Sequence, residues 1–348
     1  MGAIYTGGSA SVLYGYEGAS TFGTAASSIT NIFGLNQKVT SLTLNTSQIP
    51  LNKLGQVETS RFAYGQQMGS VGIGFVWDSE KSNPIFKARF GEPSTSGGAD
   101  IYPSGSTKPF TGTQGSGSMS VSPSSPLSLT TQIHQVIADG SNTLLNRTLK
   151  GCIVQTLGLS TSIGEVLNAT VDMVFAREDT SSVVATSGFV EQTATANDQA
   201  TTPYTFAHGS LTTSTGSAGT PAAIAEVQDI DITFTTNAEL LWGLGDHHAK
   251  DVFRKIFEVT ARFRTSSKNG QLIQAVIDQS RTGAETLTET SNVGLDLTFT
   301  DGNKSLKIEL GGVSITDHST TGIEPAEPIF EEVTLRAKSA RIVSDHTA

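Results

Sequence analysis

Cysteine is almost missing from this chain. Cys152 is the only one in 348 residues, so no intrachain disulfide can form. It sits among apolar positions of a predicted strand, with no basic neighbour placed to lower its pKa. It therefore reads as a small buried hydrophobe and not as a reactive thiol. Charge is scarce as well, at 16% of residues, and the formal balance of -10 comes without any cluster of Lys and Arg. Proteins that grip nucleic acid neutralise phosphates with such clusters, so that class is excluded, although a passive conduit for DNA is not. No window approaches the roughly 18 apolar residues of a membrane span, and the first residues lack a basic region followed by an apolar run. A soluble protein without a cleaved signal is the expectation.

The residues that usually carry chemistry are equally sparse. Of six histidines only His247 and His248 are adjacent, and neighbours in sequence point in different directions on a helix or a strand. With Asp246 and Asp251 nearby, the pair reads as a solvated loop in preference to a metal site. Gly69, Gly72 and Gly74 are in the wrong order for a dinucleotide fingerprint and lie inside an alternating strand. No phosphate loop, nucleophile elbow or isolated carboxylate pair stands out. Asn-x-Ser/Thr triplets at Asn45, Asn146, Asn168 and Asn303 are expected by chance in so Ser/Thr-rich a chain. The expectation is a structural protein that is not an enzyme, with no cofactor and no metal.

What is present is β-strand alternation, and it comes twice. Residues 149–176 read LKGCIVQTLGLSTSIGEVLNATVDMVFA, and residues 306–339 read LKIELGGVSITDHSTTGIEPAEPIFEEVTLRAKS. Each opens on Leu-Lys, passes a Ser/Thr turn and a Glu step, and ends in an alternating strand. In the first, Leu167, Ala169, Val171, Met173 and Phe175 point one way while Asn168, Thr170 and Asp172 point the other. In the second, Val333, Leu335 and Ala337 point inward, with Thr334, Arg336 and Lys338 outward. Upstream, VTSLTLNTSQIPLNKLG (39–55) and IDITFTTNAELLWGLG (230–245) are each a strand, a polar step and Leu-x-x-Leu-Gly. Each is followed by another strand, marked by Val71, Ile73, Phe75 and Trp77 or by Phe257, Val259, Ala261 and Phe263. The pieces keep their order, so the chain reads as a duplicated β domain, and its length allows two cores.

The expected organisation is a Gly/Ala/Ser/Thr-rich N-terminal arm over 1–35 and a first β domain over 36–180. A linker over 181–225 and a second β domain over 226–348 complete it. Residues 91–126 are rich in Pro, Gly and Ser and predict a long exposed loop. Residues 129–137 predict a strand. Leu272, Ile273, Val276 and Ile277 recur on one helical face, so 271–279 predicts a short helix. The class is mainly β: two tandem β-sandwich or open-barrel domains, with one short helix per half at most.

The stretch GCIVQTLGLSTSIGEVLNATVDMVFARED (151–179) resembles a block of major tail tube proteins from long-tailed viruses of bacteria and archaea. EPIFEEVTLRAKSARIVSD (327–345) is similar to the last strand of the same domain. The resemblance implies β-sandwich or open-barrel domains in stacked rings whose inner sheets form a tube for the genome. Most members carry one domain and form hexamers, so a tandem chain implies homotrimers with pseudo-sixfold symmetry. Implied partners are further copies of itself, tail terminator, baseplate or tip and tape-measure proteins, and viral double-stranded DNA passing without specific binding, with no membrane. The implied location is the virion tail, assembled in the host cytoplasm.

On that reading Asp172, Glu178, Asp229, Asp231 and Glu258 are expected to face the lumen, where like charge lets a polyanion slide. Leu51, Leu54, Leu241, Trp242 and Leu244 follow strands in turn-like segments. They are either ordinary core residues or parts of loops, 46–60 and 236–252, that dock onto the next ring. The competing class is another β-sandwich virion or surface protein: a capsid decoration, baseplate or surface-layer component. A carbohydrate-binding adhesin or β-helical enzyme would need exposed aromatic platforms or a carboxylate pair, and only Trp77 and Trp242 are available.

Overall fold

The computed structural model describes residues 5–18, 22–51, 61–104, 128–137, 144–179, 202–215, 222–223, 227–253, 255, 257–266, 293–302, 304–321 and 329–345. The first half contains β1 (Tyr5–Tyr16), β2 (Asn31–Ile32), β3 (Leu35–Leu51), β4 (Arg61–Val76) and helix α1 (Pro84–Phe90). It continues with β5 (Ser94–Ser96), β6 (Ala99–Tyr102), β7 (Leu129–Ile137), β8 (Leu144–Ser162), β9 (Asn168–Phe175) and β10 (Arg177–Asp179). The second half contains a 3-10 turn (Phe206–His208), β11 (Gly209–Thr215), β12 (Ala222–Ala223), β13 (Val227–Thr235), β14 (Glu239–Leu241) and β15 (Asp251–Phe253). It ends with β16 (Glu258–Ser266), β17 (Val293–Asp301), β18 (Lys304–Thr321) and β19 (Phe330–Asp345). Every ladder between these strands is antiparallel.

The two halves follow one path. In the first, hydrogen bonding runs β3–β4–β9–β8–β7–β1. In the second it runs β13–β16–β19–β18–β17–β11. The agreement extends to irregularities. Gly151 in β8 and Gly312 in β18 both have positive φ, +66° and +61°, a conformation that glycine adopts without a steric penalty. A Cβ on Gly151 would meet the Cβ of Ala176, and one on Gly312 would meet that of Lys338. A bulge then follows at Val154/Thr156 against β9 and at Ile315/Asp317 against β19.

These landmarks align Gly151 with Gly312 and hence Leu149 with Leu310. The Leu-Lys match that sequence reading placed at Leu149 and Leu306 is four residues out of register. Short apolar-Lys words recur in any alternating strand, whereas a glycine forced to positive φ marks one place in the fold.

At those glycines the long hairpins bend, so each half becomes two facing sheets that share strands. Val12, Leu129 and Ile133 from one sheet and Val71, Ile73 and Val171 from the other are buried in the same core. The buried residues form one principal core that runs through both halves, from Tyr14 and Trp77 to Phe263 and Ile342. The alternations drawn from the sequence for β4, β9, β16 and β19 place their apolar sides in this core.

Three boundaries differ from the sequence-based expectation. Residues 5–16 do not form a separate arm: β1 pairs with β7. Its Gly/Ser composition hid a strand whose Val12 and Tyr14 are buried. Within 181–225, β11 pairs with β17 and so belongs to the second half. The stretch 91–126 is not wholly loop either. Gly97 and Gly98, with φ of +62° and +89°, make a two-residue hairpin between β5 and β6, the turn that favours Gly-Gly. β6 then pairs with β19, a partner more than 200 residues away that no local pattern reveals. The expected helix at 271–279 lies outside the described residues.

Candidate assembly surface

One sheet crosses both halves. Its order is β3–β4–β9–β8–β13–β16–β19–β18, with four strands from each half. The joint is β8 against β13 over seven residue pairs, from Asp229 with Ser162 to Thr235 with Thr156. On its inner side Ile232 and Phe234 meet Leu159 and Leu157, all buried. α1 closes the joint from the first half. The Phe90 ring lies 5.7 Å from Phe234 and 5.8 Å from Phe257. The Arg89 guanidinium stacks over Phe257 at 4.6 Å and donates to the Thr235 carbonyl at 3.2 Å.

The sheet ends at β3 on one side and, past Gly311, at β18 on the other, and among the described residues neither of these two edges has a further strand partner. β17 leaves β18 at Gly311, after which residues 313–321 pair with β19 alone. Side chains of residues 316–320 are exposed there, as are those along β3 from Thr43 onward. Open antiparallel edges are pairing templates, and natural proteins blunt them or use them.

The face of this sheet turned away from the core bears short residues: Ser70, Gly72, Gly74, Gly158, Ser160 and Thr170. Asp172 and Asp231 are exposed on it, with Asp229 and Glu258 half-buried. Glu258 is not an isolated charge, because Arg336 pairs with it at 3.0 Å. Arg262 likewise pairs with Glu332 at 2.7 Å, holding that carboxyl below its usual range. Arg264 stacks over Phe330 at 4.5 Å. The arginines of this face are thus engaged locally. Glu178 stands elsewhere: its carboxylate takes a bidentate pair from Arg147, at 2.5 and 2.8 Å, on the sheet made by β8 and β10.

The apolar residues in the turn-like segments separate into different environments. Leu51 and Leu241 are exposed, and Leu244 is entirely so. Trp242 is half-buried in a small second core with Leu240, Ala249, Val252, Phe22, Val174 and Ala176. The segment carrying it folds back on β4, where the Gln67 amide donates to the His247 carbonyl at 2.8 Å. Leu54 lies outside the described residues.

Sequence reading missed Glu17. It is 2% exposed and accepts four hydrogen bonds, from Ser128 Oγ (2.6 Å), Gly23 N (2.8 Å), Thr130 Oγ1 (2.9 Å) and the amide of the hinge residue Gly151 (2.8 Å). Burial pushes its carboxyl above the usual range while the four donors pull it back. A folded-state pKa above the unfolded one means stability that is present at low pH and lost as pH rises through the folded value. Glu17→Gln should therefore remove the loss of stability to urea that this carboxyl contributes as pH rises above the ordinary Glu range of about 4. Nearby Cys152 is fully buried, and burial pushes its thiol up to about 12.

Among the described residues no three His, Cys, Asp or Glu side chains converge as metal ligands, and no helix is long and apolar enough to cross a membrane. The sequence model of one family, described as phage tail tube protein, matches residues 7–337. No curated protein matches the chain.

Proposed function

The chain belongs to the phage tail tube protein family, a structural and not an enzymatic one, and on that premise we propose that it closes a ring from three copies. The observation that carries this reading is the repeated strand path. Four strands of each half contribute equivalent parts of one sheet, so one chain supplies two of the six units of a pseudo-sixfold ring. This is the outcome of an internal duplication, with the halves meeting between β10 and β11. Stacked rings make the tube, and the core-averted face of the eight-stranded sheet lines its bore. The tube conducts viral double-stranded DNA, and its ends are met by terminator and by tip or baseplate proteins, with a tape-measure protein inside during assembly. Assembly takes place in the host cytoplasm.

The lining suits passage without capture. Asp172, Asp229 and Asp231 present negative charge, and the arginines beside them are already occupied by carboxylates or a ring. Counterion release is left to exposed lysines of this face such as Lys38, which lies beside Gly74. Lysine at both Asp172 and Asp231 should make assembled tubes retain DNA fragments at low salt and release them as salt rises, while the parent tubes retain none at either. Equal retention by parent and variant would remove the charge argument.

Leu244, wholly exposed on the segment after β14, is the residue that docks onto the next ring. Leu244→Ser should leave rings intact but shorten tubes. Trp242→Ser should instead lower folding stability, by about 2 kcal/mol, through loss of its packing in the small core. Electron micrographs and thermal melts of the two variants separate these effects. Tubes of normal length from Leu244→Ser would reassign the ring-to-ring contact.

A further inference from the structure

We infer that the joint between copies is β3 of one chain against β18 of the next, in the register that the internal joint already displays. The inference rests on the ring reading above and specifies the surface that closes it.

The internal joint lies between β13 and the part of β8 beyond the point where β7 leaves it at Cys152. β3 occupies the place of β13 in the strand path, and β18 the place of β8. β18 offers the same opening, because β17 leaves it at Gly311. The occupant of each edge is therefore the other edge of a second copy, as continuation of the interface inside one chain.

Neighbouring strands fix the register. Thr43 pairs with Ser70, and Ser70 with Val174. In the second half Thr233 pairs with Thr260, and Thr260 with Arg336. Thr43 thus stands where Thr233 does. Gly158 pairs with Thr170, and Ser319 with Glu332, at equivalent places past the matched bulges. Since Thr233 lies opposite Gly158 within the chain, Thr43 is placed opposite Ser319 of the second copy. By the same step Leu44 meets His318 and Asn45 meets Asp317. The joint between copies is therefore more polar than the internal one, where Phe234 meets Leu157. Such a joint suits chains that fold alone before assembling.

Engineered cysteines test the register, since native Cys152 is buried and a disulfide forms only between closely opposed positions. A chain carrying Thr43→Cys and Ser319→Cys should, when assembled and oxidised, give covalent dimers and trimers and nothing larger on a non-reducing gel. Either substitution alone should give none. Asn45→Cys with Ser319→Cys, displaced by two residues, should link at least tenfold less. Rings seen by microscopy that link through the displaced pair, or through neither pair, would overturn the register while leaving the ring reading intact. Protein that stays monomeric when concentrated would overturn both.

Discussion

Replacing Phe234 with alanine is expected to destabilise the whole chain by about 3–5 kcal/mol, the usual cost of removing a fully buried aromatic ring. Phe234 is completely inaccessible, and its ring packs between Phe90 of α1 and Phe257 while its backbone pairs with Leu157. It sits at the joint of the halves and belongs to the one principal core, so both halves should unfold together in a single transition at lower denaturant. Leu44 holds the equivalent position in β3 but is 39% exposed in the single chain. Leu44→Ala should cost the monomer less than about 1 kcal/mol and show its effect in assembly. If Phe234→Ala instead melts one half and spares the other, the halves are independent and the continuous core does not couple them.

Lysines placed together at Thr43 and Ser319 are expected to abolish rings while leaving the monomer folded. Like charges directly opposite across an antiparallel pair cost up to about 1 kcal/mol. A closed ring of three copies contains the joint three times, so the penalty reaches about 3 kcal/mol, more than a hundredfold in ring population. Replacing the second lysine by glutamate, giving Thr43→Lys with Ser319→Glu, should restore rings. Sedimentation at matched concentration reads both outcomes, and a circular dichroism melt checks that the monomer is unchanged. Rings that form equally well with two lysines would show that these strands do not meet.

Much of the fold was legible in the sequence because half-buried antiparallel strands write a period of two. β9, β16 and β19 could be drawn from Val171, Phe263 and Leu335 and their neighbours, and β7 was predicted with its observed ends. The elements that escaped have long-range causes. β1 is Gly- and Ser-rich and becomes a strand because β7 offers it an edge. β6 is held by β19. The paired halves were visible as a repeated order of strands, but the alignment slipped by four residues at Leu306, because the positive φ of Gly151 and Gly312 is a property of the folded hairpin.

The candidate surface was less legible. Asp172 and Asp231 could be assigned to an outward side from alternation alone, and the structure leaves both exposed on the same sheet face. Glu178 could not be told apart from them, because its partner Arg147 is brought by the neighbouring strand. Glu17 looked like one acidic residue in a small-residue segment. Its four donors come from three separate stretches of chain, so only the fold assembles that site. The free edges of β3 and β18 have no sequence signature at all: an edge is defined by what fails to pair with it.

Electron microscopy of the purified, assembled protein, averaged down the tube axis, bears most directly on whether one chain supplies two ring units. Three chains per ring, with six similar lobes alternating in kind and a single closed inner sheet, is the predicted result. Rings of six whole chains, or particles and flat layers without a bore, would contradict it.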